Sequence, residues 1–199
     1  MKNLPLTLSL LVSAASLTGG TIPSAAIEAQ PTQEQIHAAL TRGQEAAKLH
    51  RRPDALYARF GGTDDRKASG FLVTKLSSLS VMAAHMALRG LEPNAADITQ
   101  VLESPTMLVS TVIFGDAPSF AVDSYMVLDQ GGRTIKPVTV RFDGQAERSA
   151  VWPEHPRFKA KVVASFNYAD FDPAAKTVIT VFPANGGAVS FTLDFAEIN

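Results

Sequence analysis

The feature that most constrains this chain is a change of hydrophobic period near residue 105. Upstream, apolar residues recur every three to four positions; downstream they recur at every second one. The first pattern buries one stripe of a helix, and the second buries one face of a strand. Phe158, Ala160, Val162, Ala164, Phe166 and Tyr168 alternate with Lys159, Lys161, Val163, Ser165 and Asn167. Val189, Phe191, Leu193 and Phe195 alternate with Ser190, Thr192 and Asp194 in the same way. Such segments must pair their backbones with other strands while turning one face onto a core. With the β-branched stretch 177–182 between them, they predict a three-stranded antiparallel meander. Asn185-Gly186, within the 183–187 connection, is expected to form a tight reversal. Further strands are expected at 107–114, 120–128, 134–142 and 148–152. Pro137 marks an edge or bulge, and Gly131-Gly132 and Asp143-Gly144 supply turns.

Upstream, Thr32 and Gln35 have capping-box spacing. They open a helix over about 33–50 whose stripe is Ile36, Ala39, Leu40, Gly43, Ala46, Ala47 and Leu49. That stripe is mostly small residues, so the helix is expected to approach a neighbour closely. Pro53 ends it, and 54–60 is read as another helical turn. A polar, glycine-bounded loop spans 61–70, followed by a short strand at 71–75. A second helix over 76–89, capped by Gly90, is apolar nearly all round and is expected to be covered on both sides. A short third helix covers 95–103. The fold class is therefore α+β, with N-terminal helices packed on or beside an antiparallel β-sandwich-like C-terminal half. The expected organisation is a signal peptide over 1–26, a flexible lead-in over 27–34, a mainly helical portion over 35–105 and a sandwich-like portion over 106–199, the last two sharing one core.

Export is predicted from the first 26 residues. Lys2 precedes an apolar run from Leu4 to Leu17, and Ser24-Ala25-Ala26 places small residues before a cut at Ile27. The run falls short of the ~20 residues that span a bilayer, so the segment reads as cleaved. The expected location is periplasmic or extracellular, with no stable membrane insertion after processing. The absence of cysteine excludes disulfide frameworks, thiol catalysis and Cys-ligated metal. Eighteen Lys and Arg against nineteen Asp and Glu give no cationic field for nucleic acid.

Motifs for serine hydrolases, zinc proteases, phosphate-binding loops and dinucleotide folds are missing from the sequence. His37 and His50 stand thirteen residues apart, not the i, i+4 spacing that offers two imidazoles to one metal. His85, inside the apolar second helix, is expected to be buried as a neutral imidazole. Asp64-Asp65 and Asp170-Phe171-Asp172 supply too few oxygens for Ca²⁺, and the second group reads as a turn before Pro173. Trp152-Pro153-Glu154-His155-Pro156 is the most distinctive string, an aromatic, a carboxylate and an imidazole held between two prolines in a loop. Trp152, Glu154 and His155 are accordingly the candidate ligand- or partner-binding residues. The same string also fits a Trp that plugs the core end beside a solvated Glu-His pair.

Two functions follow. One is an exported, non-enzymatic binding or accessory protein, whose partner would be an envelope or extracellular protein. The other is a small exported hydrolase that uses a histidine and a carboxylate brought together by folding. Neither implies a cofactor or metal, and no residue is singled out as catalytic.

Overall fold

The computed structural model describes residues 27–198, so the signal peptide expected over 1–26 lies outside the described residues. Among these residues three α-helices, α1 (Gln33–Lys48), α2 (Lys75–Ala87) and α3 (Ala95–Leu102), accompany ten strands. These are β1 (Ala58–Gly61), β2 (Ser69–Val73), β3 (Thr106–Gly115), β4 (Tyr125–Gln130), β5 (Arg133–Ile135), β6 (Thr139–Phe142), β7 (Glu147–Arg148), β8 (Phe158–Asn167), β9 (Lys176–Phe182) and β10 (Val189–Asp194). The first sheet has the order β1-β2-β3-β8-β6, with β7 also on β8; the second has the order β10-β9-β4-β5. Every pairing is antiparallel.

The two sheets face each other across one core. Leu72, Val109, Ile113, Val162 and Phe166 of the first sheet pack into the same cluster as Met126, Leu128, Ile179 and Val181 of the second. The alternation read along β8 and β10 sets this inner face, because residues two apart share a side of the sheet. The fold is α+β, as expected.

The strand connectivity departs from expectation. β8 lies in the first sheet while β9 and β10 lie in the second, so no C-terminal meander forms. The chain changes sheets at Tyr168–Asp172, where Tyr168 and Phe171 are buried against Phe195. Gln130 of β4 clamps the crossing: its Nε2 donates to Asp172 O at 2.9 Å, and its Oε1 accepts from Asp172 N at 2.9 Å. Burying two aromatics at the crossing, with its backbone groups satisfied, is what lets the chain leave the sheet.

The expected strand at 134–142 divides into β5 and β6 on different sheets, and the one at 120–128 begins only at Tyr125. Phe120 instead lies over Gly115 in a turn, where it is buried. The stretch 54–60 is a 3-10 turn at Pro53–Leu56 followed by β1. Of the expected turns, Gly131-Gly132 has φ of 63° and 87° and joins β4 to β5 directly, the positive-φ geometry that glycine accepts without strain. The connection containing Asn185 is longer, and there only Gly186 has positive φ.

The N-terminal portion divides between two environments. β1, β2 and Ile27 join the sandwich, Ile27 being fully buried in its core although it opens the segment read as a lead-in. The helices bury their stripes on one another: Ile36 and Ala39 of α1 meet Leu76 and Leu79 of α2, and Ala46 meets Ala84 and Leu56. The Thr32–Gln35 capping box forms as expected. Ser80 Oγ donates to Ala39 O at 2.9 Å across the helix pair. Gly43 makes this approach possible, because a Cβ there would overlap the Ser80 carbonyl and meet Ala83 Cβ.

Lys75, at the start of α2, ties the helices to the sandwich. Its N–H donates to Tyr168 Oη at 3.1 Å, its Nζ donates to Ala29 O at 2.8 Å, and the same ammonium stands 5.2 Å from the Tyr168 ring centroid.

Gly43→Ala would stabilise an exposed helix by about 1 kcal/mol. Here it is expected to destabilise the protein by about 1–3 kcal/mol through overpacking against α2, measured by urea unfolding. Burial raises the Tyr168 hydroxyl to about 12. A raised folded pKa holds its stabilisation below the unfolded value near 10 and loses it as pH rises through the folded one. Roughly 2–3 kcal/mol of stability should therefore disappear between about pH 10 and 12. Absorbance titration of the phenolates should show a late-ionising tyrosine that Tyr168→Phe removes.

Candidate functional site

A concentration of exposed, mutually engaged polar and aromatic side chains lies where β3 and β8 reach the end of the first sheet. β3 runs out at Gly115, opposite Phe158 at the start of β8. The chain between β7 and β8, from Ser149 to Arg157, forms a loop over this end. Its base is closed by Ser149 N donating to Arg157 O at 2.8 Å and by Ser149 Oγ donating to Pro156 O. Within it, Glu154 N donates to Val151 O at 2.8 Å.

Trp152 is 41% exposed. Its ring meets Phe158 edge-on, with centroids 5.3 Å apart, and the Arg148 guanidinium stands 4.7 Å from the Trp152 ring centroid. Phe158 packs against the sandwich core, so Trp152 covers the core end on one side and meets water on the other. This contact fits the reading of Trp152 as a cover for the end of the core. Glu154 is exposed.

His155 is also exposed and is held at both ring nitrogens. Nδ1–H donates to Asp116 Oδ1 at 2.6 Å, and the Arg157 guanidinium donates to Nε2 at 3.3 Å. Asp116 Oδ1 accepts from Arg157 N as well, at 3.3 Å. The neutral imidazole protonated at Nδ1 fits both contacts, since a proton on Nε2 would face the guanidinium. The hydrogen bond from His155, reinforced by the Arg157 amide, holds the Asp116 carboxyl below its usual range. Asp116 follows a strand that looks apolar and structural, and no spacing rule links it to His155, thirty-nine residues away.

The structure does not bring the other histidines here. His37 and His50 are exposed on α1 and at its end. His85, expected to be buried, is exposed. α2 turns Leu76, Leu79, Ala83 and Ala84 inward and leaves His85 on an exposed side, so it needs no buried partner.

Beside the loop, a cleft of about 530 Å³ lies against the outer face of the first sheet. Val112 and Phe114 of β3 line it, along with Arg59, Lys67, Lys159 and the Asp64-Asp65 pair of the β1–β2 connection. The loop reaches it through Ala150, whereas Trp152, Glu154 and His155 stay outside. Asp64 is partly occupied by its own turn, accepting from Arg66 N at 2.9 Å. Asp170 and Asp172 likewise accept from Asn167 Nδ2 and Ala174 N. Among the described residues, no group of three or more His, Asp or Glu side chains is placed to hold a metal ion.

No family model matches this sequence, and neither does any curated protein. Among solved structures, it is similar to the archaellum periplasmic stator protein FlaG from Sulfolobus acidocaldarius, at 12% identity and a TM-score of 0.33, covering 46% of this chain and 88% of that one. The FlaF and FlaG complex from the same organism is matched at 14% identity and a TM-score of 0.28, covering 45% and 78%.

Acidification should report on the Asp116–His155 contact. A lowered carboxyl pKa means that its contribution is present above the ordinary carboxyl value, near 3.9, and is lost as pH falls through the folded one. The emission of Trp152, the only tryptophan, is expected to shift in that acid range, and Asp116→Asn should remove the shift while leaving the urea midpoint at neutral pH nearly unchanged.

Proposed function

We propose that this chain is an exported, non-enzymatic binding or accessory protein that meets an envelope or extracellular protein through the Ser149–Arg157 loop. One observation carries this reading: the Asp116–His155–Arg157 chain orders an exposed loop before anything binds it. Ordering in advance removes a cost that a flexible loop bears on binding. Trp152, clamped between Phe158 and Arg148, offers the rigid aromatic area typical of interface anchors. Glu154 and His155 add polar complementarity beside it. Export rests on Lys2, the apolar run to Leu17 and the small residues before Ile27. Among the described residues, no helix is long and apolar enough to cross a membrane.

The hydrolase reading is less well supported by this geometry. A general base needs a free ring nitrogen aimed at the proton it removes, and Nε2 of His155 already accepts from Arg157. The Asp–His pair is used to position the loop.

Affinity capture from an envelope extract, followed by titration of the captured protein, tests the proposal. Trp152→Ala and His155→Ala should each weaken capture by about tenfold or more while still unfolding cooperatively. Equal capture by wild type and both variants, or no capture at all, would overturn it.

A further inference from the structure

We infer that β10 is a docking edge for a second copy of this chain, its partner strand being the same β10 related by a two-fold axis. β10 has β9 on one side and no strand on the other, so its outer row of backbone groups has no strand partner among the described residues. Unpaired edges template the addition of another strand unless they are short, charged or broken by proline. The other edges of the two sheets have those protections. β1 has four residues and carries Arg59, β5 has three and begins with Arg133, and β6 has four, carries Arg141 and follows closely on Pro137. β10 has six residues, Val-Ser-Phe-Thr-Leu-Asp, with no proline, no cation and no charge before its last position.

The sequence of β10 also selects the register. A two-fold axis normal to the sheet keeps inner-face residues opposite inner-face residues. Centred on Phe191, it places Phe191 against its own copy, Val189 against Leu193 and Ser190 against Thr192. The flanking pairs are chemically matched, aliphatic on aliphatic and hydroxyl on hydroxyl, while each Phe191 ring stays turned into its own core, edge-on to Phe60 at 5.0 Å between centroids. Centring on Thr192 instead would place Ser190 opposite Asp194, whose carboxylate already accepts from Ala196 N at 3.1 Å. On the inner face Val189 and Leu193 are only half-buried and pack at the margin of the core. The partner strand would complete their cover and join two four-stranded sheets into one of eight. This edge shares no residue with the Ser149–Arg157 loop, so the two proposals can fail independently.

Ser190 and Thr192 are exposed on the outer face, so charges placed there test the pairing without touching the core. Light scattering after size exclusion should find the wild-type protein dimeric at high concentration. Ser190→Lys with Thr192→Lys sets lysine opposite lysine twice and should weaken dimerisation by about tenfold or more at an unchanged melting temperature. Ser190→Lys with Thr192→Glu sets opposite charges together and should restore the dimer, while Trp152→Ala should leave it intact. A wild-type monomer at every concentration, a dimer indifferent to the two lysines, or a Lys–Glu variant as monomeric as the Lys–Lys one would overturn the inference.

Discussion

Ten residue pairs, from Thr106 opposite Asn167 to Gly115 opposite Phe158, join β3 to β8 in the middle of the first sheet. Their inward side chains Val109, Ile113, Val162 and Phe166 are fully buried, and each contributes about 1.5–3 kcal/mol on leaving water. Both strands are central, so β2 takes the remaining side of β3, and β6 and β7 the remaining side of β8. The second sheet then has one face to cover. Without cysteine to staple a loop, this burial holds the sandwich together.

The same ladder sets the candidate site. Because β3 and β8 end together at Gly115 and Phe158, Asp116 and the loop before β8 emerge side by side. Asp116 can therefore reach His155, and Trp152 can lie on Phe158. The loop's order is thus a consequence of strand register. A slip of one residue would turn every inward side chain outward and would also part Asp116 from His155.

The helical pair is a second, smaller construction with its own clusters. It is tied to the sandwich by β1 and β2, which flank its connections, and by Lys75 reaching Tyr168 and Ala29. This arrangement explains why α2 tolerates an exposed His85 despite an apolar sequence. Its inward face is satisfied against α1, and the side that carries His85 and Leu88 is exposed.

What the sequence determined by itself is local. The Thr32–Gln35 cap, the three helices, the long alternation of β8 and β10, the Gly131-Gly132 reversal and the distinctive Trp152–Pro156 loop all follow from contacts within a few residues. Only the tertiary structure decided which sheet each strand joins and which distant group meets His155. Alternation states which side of a strand is apolar, but two opposed sheets offer equivalent inner faces, so β8 and β9 look like neighbours in the chain and lie in different layers. The Asp116–His155 pair was hidden for the same reason: a hydrogen bond between residues thirty-nine apart depends on where two strands end in space, a quantity set by long-range pairing and carried by neither segment alone.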